Sequence, residues 1–136
     1  MVHENLIGAW KLLSHQFVAT GTGESRDMFG IDPQGSLLIS ANMRMVVLIT
    51  KSERQTTDDE PALFNSILAY AGQLRLEGKD QFVTTVDVSW RPDWVGTEQT
   101  RQFSLDGDIL TIMTQEMLHP IFSNQKARGI LKFARA

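Results

Sequence analysis

The stretch Trp90-Arg-Pro-Asp-Trp94-Val-Gly-Thr-Glu-Gln99-Thr-Arg101-Gln-Phe103-Ser-Leu105-Asp-Gly107-Asp-Ile-Leu-Thr-Ile-Met-Thr114 decides the fold. Asp106-Gly107 supplies the residue types that tolerate positive φ in a tight hairpin turn. The residues before it, Thr97 to Leu105, alternate with period two, and Ile109 to Gln115 has the composition of a partner strand. Arg91-Pro-Asp93 forms a loop flanked by two tryptophans. The segment is antiparallel β.

The same grammar extends outward. Gln81 to Trp90 alternates Phe82, Val86 and Val88 against Thr85, Asp87 and Ser89, after a turn at Gly78-Lys-Asp80. Gly72 to Glu77 sets Leu74 and Leu76 against Arg75 and Glu77. Before it, Asp58 and Asp59 can accept from free N–H groups and Pro61 suits a first turn. Phe64, Ile67, Leu68 and Ala71 then follow helical spacing, which predicts one helix of about three turns. Tyr70 falls at its junction with the next strand. Ser36 to Ser40 and Arg44 to Thr50 read as a hairpin, preceded by a turn at Asp32-Pro-Gln-Gly35. Gly8 to Ala19 reads as a strand with Trp10, Leu12, Ser14, Gln16 and Val18 on one face and Lys11, Leu13, His15 and Phe17 on the other. Met117 to Asn124, with Pro120, is less regular, and Lys126 to Phe133 makes a last strand. About eight strands and one short helix indicate an all-β barrel or sandwich.

The 136 residues fit one domain, 1–136, able to bury roughly two-thirds of its unfolded surface. There is no cysteine, which excludes disulfides, thiolate metal sites and cysteine nucleophiles. A net charge of −3 without a basic cluster argues against nucleic acid as a partner. The longest apolar run, Met45 to Ile49, is far short of the ~20 residues of a membrane helix, so no membrane partner is expected. The N-terminus lacks the pattern of a secretory signal, and a cytoplasmic location is the expectation. No Walker, dinucleotide-binding or Gly-x-Ser-x-Gly motif occurs, and no cofactor is expected. His3, His15 and His119 show no metal-ligand spacing.

Gly8-Ala-Trp10 matches the Gly-x-Trp signature of lipocalins and their relatives. Together with Leu6-Ile-Gly-Ala-Trp-Lys-Leu-Leu-Ser14, Tyr70-Ala-Gly72 and the block from Pro92 to Thr111, it makes the chain resemble the bacterial and fungal lipocalin-like domain family, from about Leu6 to Arg135. The resemblance implies an up-and-down antiparallel β-barrel of about eight strands, with room for one small ligand. It also implies that Trp10 packs across the closed end beneath Arg135. Relatives often carry histidines where this chain has Thr84-Thr85, and an aromatic where it has Arg44.

The interior of such a barrel follows from alternation. Gln99, Arg101, Phe103 and Leu105 share the inward face of their strand. Arg101 either pairs with Asp87, reaches solvent at the rim, or awaits a ligand carboxylate, phenolate or enolate. Gln99, Gln16, Tyr70 and Met45 complete the candidate ligand-binding set. Trp90 and Trp94 form either a lip over the cavity or a packed corner. Strict alternation puts His15 outside. A bulge would bring it in, where it becomes the best general base available. Three functions compete. One is binding of a small, mostly apolar molecule with an acidic or enol group. Another is a cofactor-free isomerase or cyclase of a polyketide- or terpenoid-like pathway. The third is a filled barrel serving as an interaction module, or a homo-oligomer formed through Val46 and Leu48.

Overall fold

The computed structural model describes residues 2–119, 122 and 124–136. Ten strands form one antiparallel sheet: β1 (Gly8–Ala19), β2 (Ser25–Asp27), β3 (Gln34–Ile39), β4 (Arg44–Thr50), β5 (Ile67–Glu77), β6 (Gln81–Ser89), β7 (Glu98–Asp106), β8 (Ile109–Thr114), β9 (Met117–His119) and β10 (Gln125–Arg135). Neighbours pair in the order β1-β3-β4-β5-β6-β7-β8-β10, and β10 returns to β1 from Trp10↔Arg135 to Ala19↔Ala127. That pairing closes an eight-stranded barrel and removes the sheet edges. The short strands β2 and β9 extend the ladders of β1 and β10 beyond the closed wall. Helix α1 (Val2–Leu6), which sequence periodicity did not mark, precedes β1.

The two ends of the barrel differ. The turns at Ser40–Met43, Gly78–Asp80 and Gly107–Asp108 are short, and Gly107 takes φ +60 as the Asp-Gly reading requires. α1 lies at this same end. Trp10 is 1 % exposed there, and its Nε1 donates to Leu6 O at 3.0 Å. The Arg135 guanidinium lies 4.2 Å from the Trp10 ring centroid and donates to Ile7 O and Asn5 O at 3.1 and 2.7 Å. The Trp10–Arg135 pair implied by the resemblance is therefore present, and it plugs the barrel floor. The longer connections 20–33, 51–66 and 90–97, together with β9, lie at the opposite end.

The expected helix is shorter than its spacing suggests. α2 spans Glu60–Asn65, with Asp59 Oδ1 accepting from Ala62 N at 2.9 Å and Pro61 in the first turn. Ile67, Leu68 and Ala71 belong to β5, paired with Thr50, Ile49 and Val46 of β4. Hydrogen bonding to a neighbouring strand overrides the local pattern there. The same correction moves Tyr70 from a junction to the middle of β5, opposite Val47 and Ser89. Pro120, which marked the irregular segment, lies outside the described residues.

One irregularity reorganises β1. Leu12 pairs with Phe133 but Ser14 pairs with Lys132, so two residues of β1 oppose one step of β10. This β-bulge changes the parity of the strand. Trp10 and Leu12 are buried below it, whereas His15 and Ala19 are buried above it and Leu13 is 50 % exposed. The expectation that His15 faces outward is overturned for this reason.

Candidate functional site

The upper half of the barrel encloses a cavity of about 370 Å3. Its apolar wall is built from alternate residues of the strands: Leu37 from β3, Met45 and Val47 from β4, Leu68 from β5, Phe82 from β6, Ile112 from β8, and Leu131 and Phe133 from β10. Below it, Leu6, Trp10, Leu12 and Leu110 fill the floor. A space of this size suits one small organic molecule.

Few polar groups interrupt that wall. Arg101 and Gln99 line it from β7, as alternation predicts. Arg101 donates to Thr100 O at 2.9 Å and to Gln99 Oε1 at 3.3 Å, while Gln99 Nε2 donates to Thr97 Oγ1 at 2.9 Å. Among the described residues no carboxylate pairs with Arg101. Asp87, the partner that the sequence offered, is on the outside and takes two hydrogen bonds from Arg44 at 2.5 and 3.0 Å. That pairing holds the Asp87 carboxyl below its ordinary range, chiefly through the Arg44 hydrogen bonds, and raises the Arg44 guanidinium for the same reason. Arg101 keeps donor capacity to spare, since a guanidinium has five N–H groups.

Tyr70 lines the cavity from β5 and is 8 % exposed. Burial pushes its phenol above the usual tyrosine range, against the pull of the nearby Arg101 charge. The phenol is therefore a standing O–H donor at neutral pH. Its ring packs 5.3 Å from Trp94, which reaches the cavity from the short 3-10 turn Pro92–Trp94. Trp90 stands edge-on to Trp94 at 5.1 Å and does not line the cavity. One tryptophan thus contributes to the lip while the other braces it. Met45 lies on the wall, 3 % exposed. Gln16 is not in the cavity: the bulge turns it outward, where its Nε2 donates to Asp27 Oδ1 at 3.2 Å.

His15 is the group that alternation missed. It lines the cavity, is 7 % exposed, and has Phe29 at 5.3 Å and Phe17 at 6.4 Å between ring centroids. Phe29 comes from the β1–β3 connection, which is fixed by Met28 N donating to His15 O at 3.1 Å and Ser52 N donating to Phe29 O at 2.9 Å. Burial lowers the imidazole pKa to about 4. Nδ1 has no hydrogen-bond partner among the described residues. The signal for this placement was the adjacent pair Leu12-Leu13, two apolar residues where one face should have been polar. Thr114, Gln115 and Met117, at the rim, were also not singled out by the sequence. The side chains of His3 and His119 lie outside the described residues.

The family model described as a lipocalin-like domain matches residues 7–136. The chain belongs to the lipocalin-like domain family. No curated protein matches it significantly. The lipocalin-like barrel is consistent with binding a small hydrophobic ligand. In this lipocalin-like chain Thr84 is fully buried, with no partner for Oγ1 among the described residues, and the cavity histidine comes from β1. No helix among the described residues is long and apolar enough to cross a membrane.

Proposed function

We propose that the protein binds a small, mostly apolar organic molecule with an acidic or enolic oxygen, held in the barrel with that oxygen on Arg101. One observation above all supports this reading: a cavity of about 370 Å3 holds a guanidinium that faces no carboxylate among the described residues. Arg101 is part-buried at the cavity wall, and a ligand anion would give its guanidinium an ionic partner with bidentate geometry. Tyr70 and Gln99 flank the same point as hydrogen-bonding groups. The cavity also weighs against a filled barrel acting only as an interaction module, although Val46 and Leu48 are exposed on the outer face at 49 % and 47 %.

The test pairs a fatty acid with its alcohol. Calorimetry with decanoate and decanol is expected to show that Arg101→Leu weakens decanoate by about tenfold to a hundredfold, the worth of a hydrogen bond to a charged group, with a much smaller effect on decanol. Equal losses for both would reject the guanidinium as an anion site. Native mass spectrometry of the purified protein would then identify the resident molecule.

A cofactor-free isomerase is the second reading, favoured by the neutral imidazole in the same cavity. His15 would take a proton from carbon beside a carbonyl polarised by Arg101 and Tyr70, and return it to another carbon. Deuterium incorporation from solvent into a bound ketone, abolished in His15→Phe, separates turnover from binding.

A further inference from the structure

We propose that His15 is a second polar anchor of the cavity, and that the ligand class is an apolar molecule with an oxyanion at one pole and a hydroxyl or enol at the other. The inference rests on the reading of the cavity as an acid-binding site and deepens it.

The strand registers place the two anchors on different walls. His15 faces Leu131, Leu131 faces Ile112, and Ile112 faces Phe103. His15 is therefore level with Phe103, two residues along β7 from Arg101. Three strand steps separate β1 from β7 by way of β10 and β8, which at about 4.8 Å each is roughly 14 Å around the wall. Between the anchors the lining is Ile112 and Leu131, with Thr114 opposite Arg101 and its Oγ1 already accepting from Gly129 N at 2.7 Å. The arc is a backbone path and both side chains project into the lumen, so a ligand that reaches both carries two polar groups separated by less than that arc, with hydrocarbon against Ile112 and Leu131.

The chemistry of the second pole follows from the imidazole. Burial among Phe17, Phe29 and Leu131 keeps it uncharged, and among the described residues no carboxylate lines the cavity with it. A neutral imidazole has one donor and one acceptor nitrogen. It offers an anion no charge. A hydroxyl both donates and accepts, so it suits either tautomer. The β1 ladder gives up regular pairing at Leu12/Ser14, and the same chain with smooth alternation would turn this imidazole to solvent. His15 is brought inside by the bulge, is 7 % exposed and lines the cavity; its Nδ1 is sealed and has no hydrogen-bond partner among the described residues, which leaves Nε2 as the nitrogen a ligand can reach.

The experiment is titration calorimetry of the wild type, His15→Phe and Arg101→Leu with plain and ω-hydroxy fatty acids from octanoate to dodecanoate. In the wild type, at one chain length, the hydroxy acid is expected to bind about tenfold tighter than the plain acid, although a hydroxyl in an unmatched apolar site would weaken binding. His15→Phe should bring that ratio to about one or below. Arg101→Leu should weaken both acids together. No preference at any length, or a preference that persists in His15→Phe, overturns the inference while the acid-binding reading stands. Failure of every acid to bind the wild type overturns both. A measurement without a variant guards against misfolding: the imidazole nitrogen NMR signals of wild-type His15 should shift with the hydroxy acid and much less with the plain acid. Equal shifts would also overturn the inference.

Discussion

Two residues, His15 and Arg101, account for most of the cavity's chemistry, and His15 is the one that links it to pH. The imidazole is neutral until about pH 4, because burial opposes its charge, whereas an unfolded histidine protonates near 6.5. The unfolded state thus binds a proton that the folded state refuses across that interval. Stability is full above the unfolded value and falls as pH drops from about 6.5 toward 4, by roughly 3 kcal/mol from this group. Urea unfolding at pH 7.5 and at pH 4.5 measures the loss, and His15→Phe should flatten it. A slope unchanged in that variant would assign the acid sensitivity elsewhere. Asp87 and Glu98, whose carboxyls are held low by hydrogen bonds from Arg44 and Arg75, act in a different window. Their contribution is present above the unfolded carboxylate values and is lost only as pH falls through the folded ones.

Among the elements, the β1–β3 connection matters to the site more than its irregular conformation suggests. Gly30, at φ +81, lets the chain pass Ser52, and a Cβ built there would fall 1.8 Å from Ser52 Oγ. Gly30→Ala is therefore expected to cost about 1–2 kcal/mol and to lift Phe29 from the His15 ring. Its readout is the His15 titration by NMR, which should move up from about 4 toward 6.5 as water reaches the ring. An unmoved titration would show that Phe29 is not what desolvates it. At this scale the sequence was readable wherever one face of a strand met water. β7 and β8 around Asp106-Gly107 alternate cleanly, and Gln99 and Arg101 could be placed inside from that alone. β5 was hidden because Phe64, Ile67, Leu68 and Ala71 have helical spacing, while the bonds that decide the matter run to β4, distant in sequence. His15 was hidden because a bulge is a relation between two strands, and its only local trace was the Leu12-Leu13 doublet.

At the level of the whole molecule, the barrel divides its volume between a packed floor and an open upper half. Trp10, Arg135 and α1 close one end, so stability and vacancy are spatially separated. Filling the vacancy should then be tolerated. Val47→Phe, on the cavity wall, is expected to leave the unfolding midpoint nearly unchanged and to lower decanoate affinity at least about tenfold. A large loss of stability would mean that the space is smaller or stiffer than its volume indicates. The bulge in β1 has a consequence for comparing this chain with others of its family. The strand carries one residue of slack. Removing Leu13 would regularise the ladder and leave His15, Phe17 and Ala19 on the sides they occupy now, whereas a one-residue gap between His15 and Ala19 would reverse every side chain beyond it. A gap aligned to position 13 is thus silent for the lumen. The same gap a few positions later describes a barrel with a different interior.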